Sequence, residues 1–492
     1  MRLEEFSPAD RELLTPTPGG SMHYRCLSCG RNSAIDELLY TCPSCNGVLL
    51  IESAEPRALS PQQWRRSFDL RRMLNQPVSK GIFRYHELIA PILPLDSILY
   101  LGEGHTPIIE ASASLSEQVA MDFAFKNDGQ NPSASFKDRG MAAAISYINY
   151  LIKHKNAGQI LSVCASTGDT SAAAALYASY LTPQVVSAVL LPQGKVTPQQ
   201  LAQPLGAGAL VFEIPGVFDD CMKVVEHLAE NYQVALLNSK NAWRIRGQES
   251  YAYEIAQDLD YDLSGQVIFV PIGNAGNISA IMAGFLRLLR LKIITQLPAV
   301  IGVQSTHADP VFRYYQQSEP RHWQAVIVKP SVAQAAMIGN PVSIPRVIEL
   351  ANSYQELGGR FAVVQVSEQE IMDSMLLANR NGHIACTQGG ESFAGMRRAL
   401  ALKLISNNEH AILDATAHHL KFIGFQQMYF DNSLPPEFEV TPKPELVNMP
   451  RSVALSGSRP GGAQPLDEKE FNTFVQNAAQ AIARDLNLKN RP

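Results

Sequence analysis

The chain has 492 residues, a formal net charge of -5, 46% hydrophobic residues and 18% charged residues. This composition is typical of a globular enzyme rather than a disordered or fibrous protein, and the length allows two or three packed domains. No cationic block suggests nucleic-acid binding, no apolar run approaches the roughly eighteen residues that span a bilayer, and the start MRLEEFSPAD does not resemble a signal peptide. We therefore expect a soluble, cytoplasmic protein with neither a nucleic-acid nor a membrane partner.

Four of the seven cysteines lie near the start of the chain, as two pairs. Two residues separate Cys26 from Cys29, two separate Cys42 from Cys45, and twelve lie between the pairs. Each pair can offer two thiolates to one tetrahedral ion, whereas disulfides, the alternative, are disfavoured in the cytosol. We predict a zinc-ribbon-like module over residues 1–53 with a structural Zn²⁺, because four thiolates leave no coordination position open for catalysis.

Further along the chain, short β-rich runs alternate with longer helical runs. Six runs are typical of buried parallel strands: ILSVCAS, VVSAVLL, ALVFEI, VIFVPIG, AVIGVQS and HAILDAT. Segments such as TSAAAALYASYL, DCMKVVEHLAENY and SAIMAGFLRLLRL lie between them and predict helices. The alternation predicts an α/β fold with doubly wound parallel sheets, whose binding sites belong at the carboxyl ends of the strands.

A single lysine begins a helical segment in NPSASFKDRG, residues 131–140. Lys137 follows small residues that leave room for a flat ligand, and MAAAISYINYLI after it has helical periodicity. A lysine that forms an imine must first lose its proton, which a partly desolvated pocket favours. Judged from this segment alone, an ordinary lysine in the first helical turn, with its charged end in solvent, is favoured over an imine-forming lysine.

The segment PIGNAGNISA forms a second candidate site between a strand and a helix. Its backbone N–H groups and the positive end of the helix dipole can cradle an anion. The turn contains neither GK[ST] nor GxGxxG, so a compact phosphate monoester is favoured over ATP or NAD, and a plain strand–helix turn is the alternative. The residues that we assign to this phosphate loop are Gly273, Asn274, Ala275, Gly276 and Asn277.

A third candidate site is CASTGDTSAAA, residues 164–174, at another strand-to-helix turn. Ser166, Thr167 and Thr170 bring hydroxyls and backbone amides to a helix start, an arrangement suited to a carboxylate. Simple helix capping is the alternative, although a cap needs only one of these side chains. Asp169 would repel a second carboxylate, so we expect it to face a cofactor hydroxyl or the helix end.

These turns, together with LGEGHTPI at 101–108, resemble motifs of the tryptophan-synthase-like family of pyridoxal-phosphate enzymes, known as fold type II, and within it the threonine synthases. LNSKNAWRIRGQESYAYEI is similar to the family's substrate-phosphate segment, and ILDATAHHLKF to its TAHPAKF stretch. The six motifs occur in the family's order over about residues 95–425. The motifs stand at Gly102–Pro107, Asn131–Arg139, Ser166–Ser171, 237–255, Gly273–Ile278 and 412–422.

The resemblance implies that pyridoxal 5'-phosphate is held as a Schiff base on Lys137, which also serves as general acid and base. It implies that the 273–277 loop holds the cofactor phosphate, that Asp169 faces the cofactor's 3′-oxygen, and that Thr416 lies beside the pyridine nitrogen. It assigns the substrate carboxylate to the 166–171 turn. It assigns the substrate phosphate to Ser239, Asn241 and Arg244, and the planar guanidinium suits this role because it binds phosphate in two places.

The reaction implied is the conversion of O-phosphohomoserine and water to threonine and phosphate. Alternatives within the fold are a related lyase that replaces groups at Cβ or Cγ of a phosphorylated amino acid, such as a cysteate synthase, and a dehydratase. A non-catalytic protein that recruits a partner through its ribbon is the alternative from another class. The chain departs from the family pattern at His105, where asparagine is usual, at Asp169, and over residues 385–396.

We expect two doubly wound parallel-sheet domains beside the zinc-ribbon-like module. The large cofactor-bearing domain would combine residues 54–158 with residues 241–430, and residues 159–240 would form a small mobile α/β domain. Residues 431–492, rich in proline and glycine before a final helix near 467–485, would form a C-terminal extension. We expect a monomer or a homodimer.

Overall fold

The computed structural model describes residues 1–54, 57–166, 168–193, 198–216, 218–453, 455 and 467–489. Thr167, one of the predicted substrate-binding residues, lies outside them. The chain divides into two compact units, Met1–Thr441 and Pro442–Pro492. None of the helices in the described part of the chain combines the length and the hydropathy that a membrane-crossing segment needs.

The described strands include the six that the sequence predicts, several shorter or antiparallel ones, and the parallel six-residue strand β12, which was not predicted. They are β1 (Ser21–Cys26), β2 (Asn32–Ala34), β3 (Leu49–Ala54), β4 (Ile108–Glu110), β5 (Phe123–Lys126), β6 (Ile160–Ala165), β7 (Val185–Pro192), β8 (Leu210–Ile214), β9 (Val234–Leu236), β10 (Gln266–Pro271), β11 (Ala299–Ser305), β12 (Phe361–Val366) and β13 (His410–Asp414).

The strands form three sheets. A small antiparallel sheet has the order β2-β1-β3 and belongs to the cysteine-rich N-terminal segment. A six-stranded sheet has the order β12-β11-β10-β13-β5-β4, in which β4 alone is antiparallel. A parallel four-stranded sheet has the order β8-β7-β6-β9 and draws its strands from residues 160–236. The α/β fold class with parallel sheets is thus confirmed.

The α-helices of the first unit connect the strands and cover the two parallel sheets. They are α1 (Pro8–Leu14), α2 (Pro61–Met73), α3 (His86–Ile89), α4 (Ala113–Val119), α5 (Lys137–Lys155), α6 (Asp169–Ser179), α7 (Pro198–Gly206), α8 (Phe218–Asn231), α9 (Ala242–Gln248), α10 (Ser250–Asp258), α11 (Gly276–Arg290), α12 (Pro310–Tyr315), α13 (Ile344–Glu356), α14 (Glu368–Arg380), α15 (Thr387–Ala401) and α16 (Ile423–Phe430).

Helix α5 crosses α9 at very short range, which requires two glycines. A Cβ on Gly247 would lie 2.3 Å from the Arg139 carbonyl oxygen, and one on Gly140 would lie 2.9 Å from the Arg244 carbonyl oxygen. The first turn of α5 is also fixed by the buried Arg139 guanidinium, which pairs with Asp128 at 2.7 Å and with Glu254 at 2.8 Å. The start of α5, where Lys137 lies, is therefore held rigidly against α9.

The second unit contains α17 (Glu468–Asp485), which matches the final helix predicted from the sequence. It begins at Asp467, whose side chain accepts a hydrogen bond from the Glu470 backbone N–H at 2.8 Å and so satisfies one of the free amides of the first turn. Its apolar residues Phe471, Val475 and Ile482 are exposed.

Candidate active site

A cavity lies where the strands of the parallel sheets end. It brings together predicted residues from five separate segments, namely Lys137, Asp169, Ser239, Gly273, Asn274, Ala275, Gly276, Asn277 and Thr416. Its remaining walls are residues that the sequence analysis did not assign, namely Phe136, Ile245, Gln248, Pro271, Ala335, Ala336 and Gln388. Four other predicted residues, Ser166, Thr170, Asn241 and Arg244, do not line it.

Lys137 is the first residue of α5 and its amine is set up to be neutral near pH 7. Burial and the charge of Arg244 together lower the pKa of Lys137 to about 7, against the opposing effects of Asp169 and other acidic groups. The Nζ atom lies 4.3 Å from the centre of the Phe136 ring. A neutral amine is the form that attacks a carbonyl carbon, so this lysine is chemically prepared for imine formation.

The loop between β10 and α11 forms one wall of the cavity. Ala275 has the left-handed φ of 61° and directly precedes α11, so the loop turns sharply just before the helix start. A Cβ on Gly273 would lie 3.0 Å from both the Ala335 carbonyl oxygen and the Ala336 Cα. The loop therefore packs closely against this neighbouring segment at Gly273, and its amides lie at the positive end of a 15-residue helix.

Asn277, the second residue of α11, connects the loop to a neighbouring strand. Its Nδ2 donates to Asp414 Oδ2 at 2.8 Å, and its Oδ1 is buried without a partner among the described residues. Burial and the nearby Asp128 carboxylate raise the pKa of Asp414 well above its usual range. The bond to Asp414 links the loop to the end of β13, the strand that leads to Thr416.

Thr416 lies beside Lys137 because the chain after β13 bonds to the chain before α5. The Phe136 backbone N–H donates to the Thr416 carbonyl oxygen at 2.8 Å. The Thr416 hydroxyl lies 3.6 Å from the Cys386 sulfur, and that thiol donates to Gln388 Oε1 at 3.3 Å. The Gln388 Nε2 is buried and has no partner within the described chain. Gln388 thus offers an unused donor to whatever fills the cavity.

Gln388 was not among the predicted site residues, for an identifiable reason. It lies in ACTQGGESFAGM, the stretch that departs from the family pattern, so no motif marked it. The same stretch contains Cys386, whose side chain is 0% exposed. The departure from the family pattern was itself the available signal.

Asp169 begins α6 and its charge is compensated from a distant segment. The Lys421 amine lies 3.0 Å from Asp169 Oδ1 and also donates to the Ser133 carbonyl oxygen at 2.8 Å. This ion pair explains how a carboxylate is tolerated next to a predicted anion site. Ser166 has a local role, because its hydroxyl accepts from the Gly168 backbone N–H at 3.3 Å.

The segment after β9 places Arg244 behind the cavity wall. Asn241 caps α9: its Oδ1 accepts from the Trp243 N–H at 2.9 Å and the Arg244 N–H at 3.2 Å. Arg244 is 1% exposed, donates to the Leu237 carbonyl oxygen at 3.2 Å, and has a buried Nε without a partner in the described chain. Burial lowers its pKa to about 10, so it still carries its charge at neutral pH. It is a buried cation to which none of the described carboxylates is bonded.

The four N-terminal cysteines converge on one point. Their sulfur atoms all lie within 4.8 Å of one another, with 3.5 Å between those of Cys26 and Cys45 and 3.7 Å between those of Cys29 and Cys42. Tetrahedral zinc with bonds of about 2.3 Å would place its sulfur ligands about 3.8 Å apart. The cluster has the geometry of a four-thiolate metal site.

Comparison with known proteins agrees with this geometry. Residues 99–413 match the family described as "Pyridoxal-phosphate dependent enzyme". The chain is 34% identical over 406 residues to the threonine synthase of Methanocaldococcus jannaschii, covering 81% of this chain and 93% of that protein. It is 32% identical over 394 residues to the chloroplastic threonine synthase 2 of Arabidopsis thaliana, covering 79% of this chain and 74% of that protein.

Solved structures share the fold. Threonine synthase from Escherichia coli aligns with a TM-score of 0.62 and 20% identity, covering 87% of this chain and 93% of that one. Threonine deaminase isoform 2 from Solanum lycopersicum aligns with a TM-score of 0.55 and 18% identity, covering 72% of this chain and 94% of that one. At these identities the likeness concerns the fold alone.

Proposed function

The chain belongs to the threonine synthase family of pyridoxal-phosphate dependent enzymes, and we propose that it converts O-phosphohomoserine and water to threonine and phosphate in the Lys137 cavity. The observation that carries this proposal is the pairing of a lysine of pKa about 7 with a glycine-walled phosphate loop in one cavity. Each feature has a structural explanation by itself. Their meeting in one cavity fits a cofactor that has both an aldehyde and a phosphate.

The residues present fit pyridoxal phosphate. The loop amides between β10 and α11 suit its phosphate, and Gly273 keeps that wall free of side-chain atoms. Thr416 and the free Nε2 of Gln388 supply neutral polar groups to the cofactor's ring. When bound, the cofactor draws electrons away from the Cα of an attached amino acid.

Lys137 moves protons in this proposal. Its amine takes the Cα proton, a second proton leaves Cβ, and the phosphate departs from Cγ. One of these protons then goes to Cγ and the other returns to Cα. Water adds its hydroxyl at Cβ and its remaining proton goes to the departing phosphate, so that threonine and phosphate are released. A pKa of about 7 lets the same group accept and return protons at neutral pH without a large barrier in either direction.

Arg244 would bind the leaving phosphate. Its guanidinium is buried and positively charged, with no carboxylate bonded to it among the described residues, so an incoming dianion would be the compensating charge. Ser239 lines the cavity on the same segment. Asn241 supports this arrangement through the helix cap rather than by a free side chain, since both ends of its amide are bonded. This second anion site favours a phosphorylated substrate over that of a dehydratase.

We also propose one structural Zn²⁺ on Cys26, Cys29, Cys42 and Cys45. The sulfur separations of 3.5 and 3.7 Å support it, as does the ribbon-like spacing of the two pairs. Metal analysis of the purified protein tests it: one zinc per chain is expected, and a metal-free protein with four titratable thiols would contradict it.

Substitution of Lys137 tests the active site. Lys137→Ala should abolish both threonine formation and the visible absorbance of the lysine-bound cofactor. Lys153→Ala, an exposed lysine on the same helix, serves as the matched control and should change neither. Retention of the wild-type spectrum by Lys137→Ala would refute the assignment.

A further inference from the structure

The buried Arg346, on α13, contacts the cysteine ribbon, which is the N-terminal sheet of residues 21–54, and the turn at residues 239–240. It also contacts Ser343, which bonds to the predicted phosphate loop. It is 0% exposed. Its Nε and Nη2 donate to the Leu49 carbonyl oxygen at 3.1 and 2.7 Å, and Nη2 also donates to the Lys240 carbonyl oxygen at 3.0 Å. Its Nη1 donates to the Ser239 carbonyl oxygen at 3.1 Å and to the Ser343 hydroxyl at 2.9 Å. All of its nitrogen atoms are therefore used.

The partners of Arg346 are neutral. Four of its five hydrogen bonds go to main-chain carbonyl oxygens and one to a hydroxyl, and burial lowers its pKa to about 9. A charge held in this way is costly to bury, so the arrangement persists only because every donor is satisfied with good geometry. Three chain segments must keep their relative positions to provide those acceptors.

Ser343 extends this network to the phosphate loop. Its backbone N–H donates to the Asn274 carbonyl oxygen at 3.2 Å, and its hydroxyl lies 3.5 Å from the Ser239 carbonyl oxygen. Arg346 thus fixes the 239–240 turn directly and the phosphate loop through one intervening residue. Both segments line the proposed site for the substrate and the cofactor.

The other end of the network lies in the cysteine ribbon. Leu49 begins β3 and is paired with Cys26 on β1. The Leu27 N–H donates to the Val48 carbonyl oxygen at 3.0 Å, and the Cys42 N–H donates to the Gly47 carbonyl oxygen at 2.9 Å. The position of the Leu49 carbonyl is therefore set by the same strands and turns that position the cysteines.

A second contact joins the cysteine ribbon to α9, independently of Arg346. The Trp243 indole N–H donates to the Tyr24 hydroxyl on β1 at 3.1 Å, and the Trp243 ring stacks on Tyr147 with 4.5 Å between ring centres. Trp243 directly precedes Arg244. The ribbon therefore supports the substrate-phosphate segment from both sides, at residues 239–240 through Arg346 and at residue 243 through Tyr24.

We propose that Arg346 is a positioning residue that couples metal binding at the cysteine ribbon to recognition of the substrate's phosphate. A metal-loaded ribbon holds Leu49, Leu49 and Arg346 hold the 239–240 turn, and that turn presents Ser239 and Arg244 to the phosphate. The inference rests on the proposed function for the identity of the substrate. In this proposal the ribbon affects how tightly the substrate's phosphate binds, although the ribbon does not touch the reacting atoms.

The test compares four variants of the full-length holoenzyme. Arg346→Gln removes the charge and most donors, Arg346→Lys keeps the charge but not the fork, and Cys42→Ser weakens the metal site. Glu349→Gln is the matched control: Glu349 lies on the same helix and pairs with Arg25 of the ribbon at 2.5 Å, but this pair does not involve the 239–240 turn. Zinc content, cofactor absorbance, kcat and KM for O-phosphohomoserine are measured for each.

Arg346→Gln and Cys42→Ser should each raise KM by about tenfold or more, the effect of losing roughly one to two hydrogen bonds, while kcat changes by less than about threefold. Arg346→Lys should fail to restore KM, and Glu349→Gln should leave it unchanged. A fifth, double variant that combines Arg346→Gln with Cys42→Ser should show a KM increase smaller than the product of the two single effects, because both act through Leu49. Removal of zinc from the wild-type enzyme by a chelator should reproduce Cys42→Ser, which covers the case that this variant does not fold.

Four results would overturn the proposal: an unchanged KM in Arg346→Gln, an unchanged KM after zinc removal, multiplicative effects in the double variant, or recovery of KM by Arg346→Lys. A wild-type enzyme that does not form threonine contradicts the proposed function instead. In that case the affinity of the holoenzyme for inorganic phosphate, measured by calorimetry, replaces KM. A loss of affinity in Arg346→Gln and after zinc removal then supports the coupling, and unchanged affinity refutes it.

Discussion

The amine of Lys137 provides a direct chemical test of the cavity, because its protonation differs greatly from that of an ordinary lysine. With a pKa of about 7, about half of the Lys137 amines are neutral at pH 7, whereas a lysine at the usual value has about one neutral amine in 3000. Below the lowered pKa the amine is protonated and unreactive, and above it the neutral fraction approaches one. The rate of amine modification should therefore rise about tenfold per pH unit below neutrality and level off above about pH 8.

The assay is reductive methylation of the apoprotein across a pH series, followed by quantification of the Lys137 peptide by mass spectrometry. A lysine-containing reference peptide in the same tube corrects for the pH dependence of the reagent. Arg244→Met should move the Lys137 profile to higher pH, because the charge of Arg244 helps to lower the pKa of Lys137. A Lys137 profile that runs parallel to the reference up to about pH 9 would refute the reasoning.

Three further substitutions test residues in the cavity wall and behind it. Arg244→Lys should raise KM for O-phosphohomoserine by about tenfold or more in steady-state assays, because an ammonium group cannot bind phosphate in two places, and an unchanged KM would remove Arg244 from the phosphate site. Gln388→Leu should weaken pyridoxal-phosphate binding by about tenfold in fluorescence titrations and lower the melting temperature of the apoprotein only slightly, since Nε2 is unpaired there and the side chain loses only the weak bond from the Cys386 thiol; equal affinity would contradict its assignment. Gly273→Val should weaken cofactor binding because its Cβ would lie 3.0 Å from the Ala335 carbonyl oxygen, and wild-type affinity with an unchanged circular dichroism spectrum would show that the loop is not a tight cradle.

The strands that could be predicted from the sequence are mostly those long enough to show a run of β-branched or aliphatic residues. The runs that became β6, β7, β10 and β11 have six to eight residues and are largely β-branched or aliphatic. The missed β5 has four residues and β9 has three, and their extended conformation depends on pairing with strands that are distant in sequence. β12 was long enough, with six residues, and was overlooked.

The residues of the candidate site also fall into two groups, those with a local sequence signal and those whose contacts come from distant parts of the chain. The phosphate loop and the segment around Lys137 could be recognised because their chemistry is local, in one turn and the helix that follows it. The compensation of Asp169 by Lys421 could not, because the ion pair joins α6 to the segment after β13. Arg346 gave no local signal at all, since its acceptor at Leu49 is 297 residues away. Motifs therefore predicted candidate ligand-binding groups that share one cavity, but they gave no sign of the distant residues that contact those groups.

The most direct measurement is the fate of the oxygen atoms when purified enzyme converts O-phosphohomoserine in ¹⁸O-enriched water. Because the phosphate leaves with its bridging oxygen and water adds at Cβ, mass spectrometry should find threonine with the label in its hydroxyl group and an equal amount of unlabelled phosphate. Lys137→Ala should form neither product. Phosphate release without threonine, labelled phosphate, or undiminished turnover by Lys137→Ala would contradict the account.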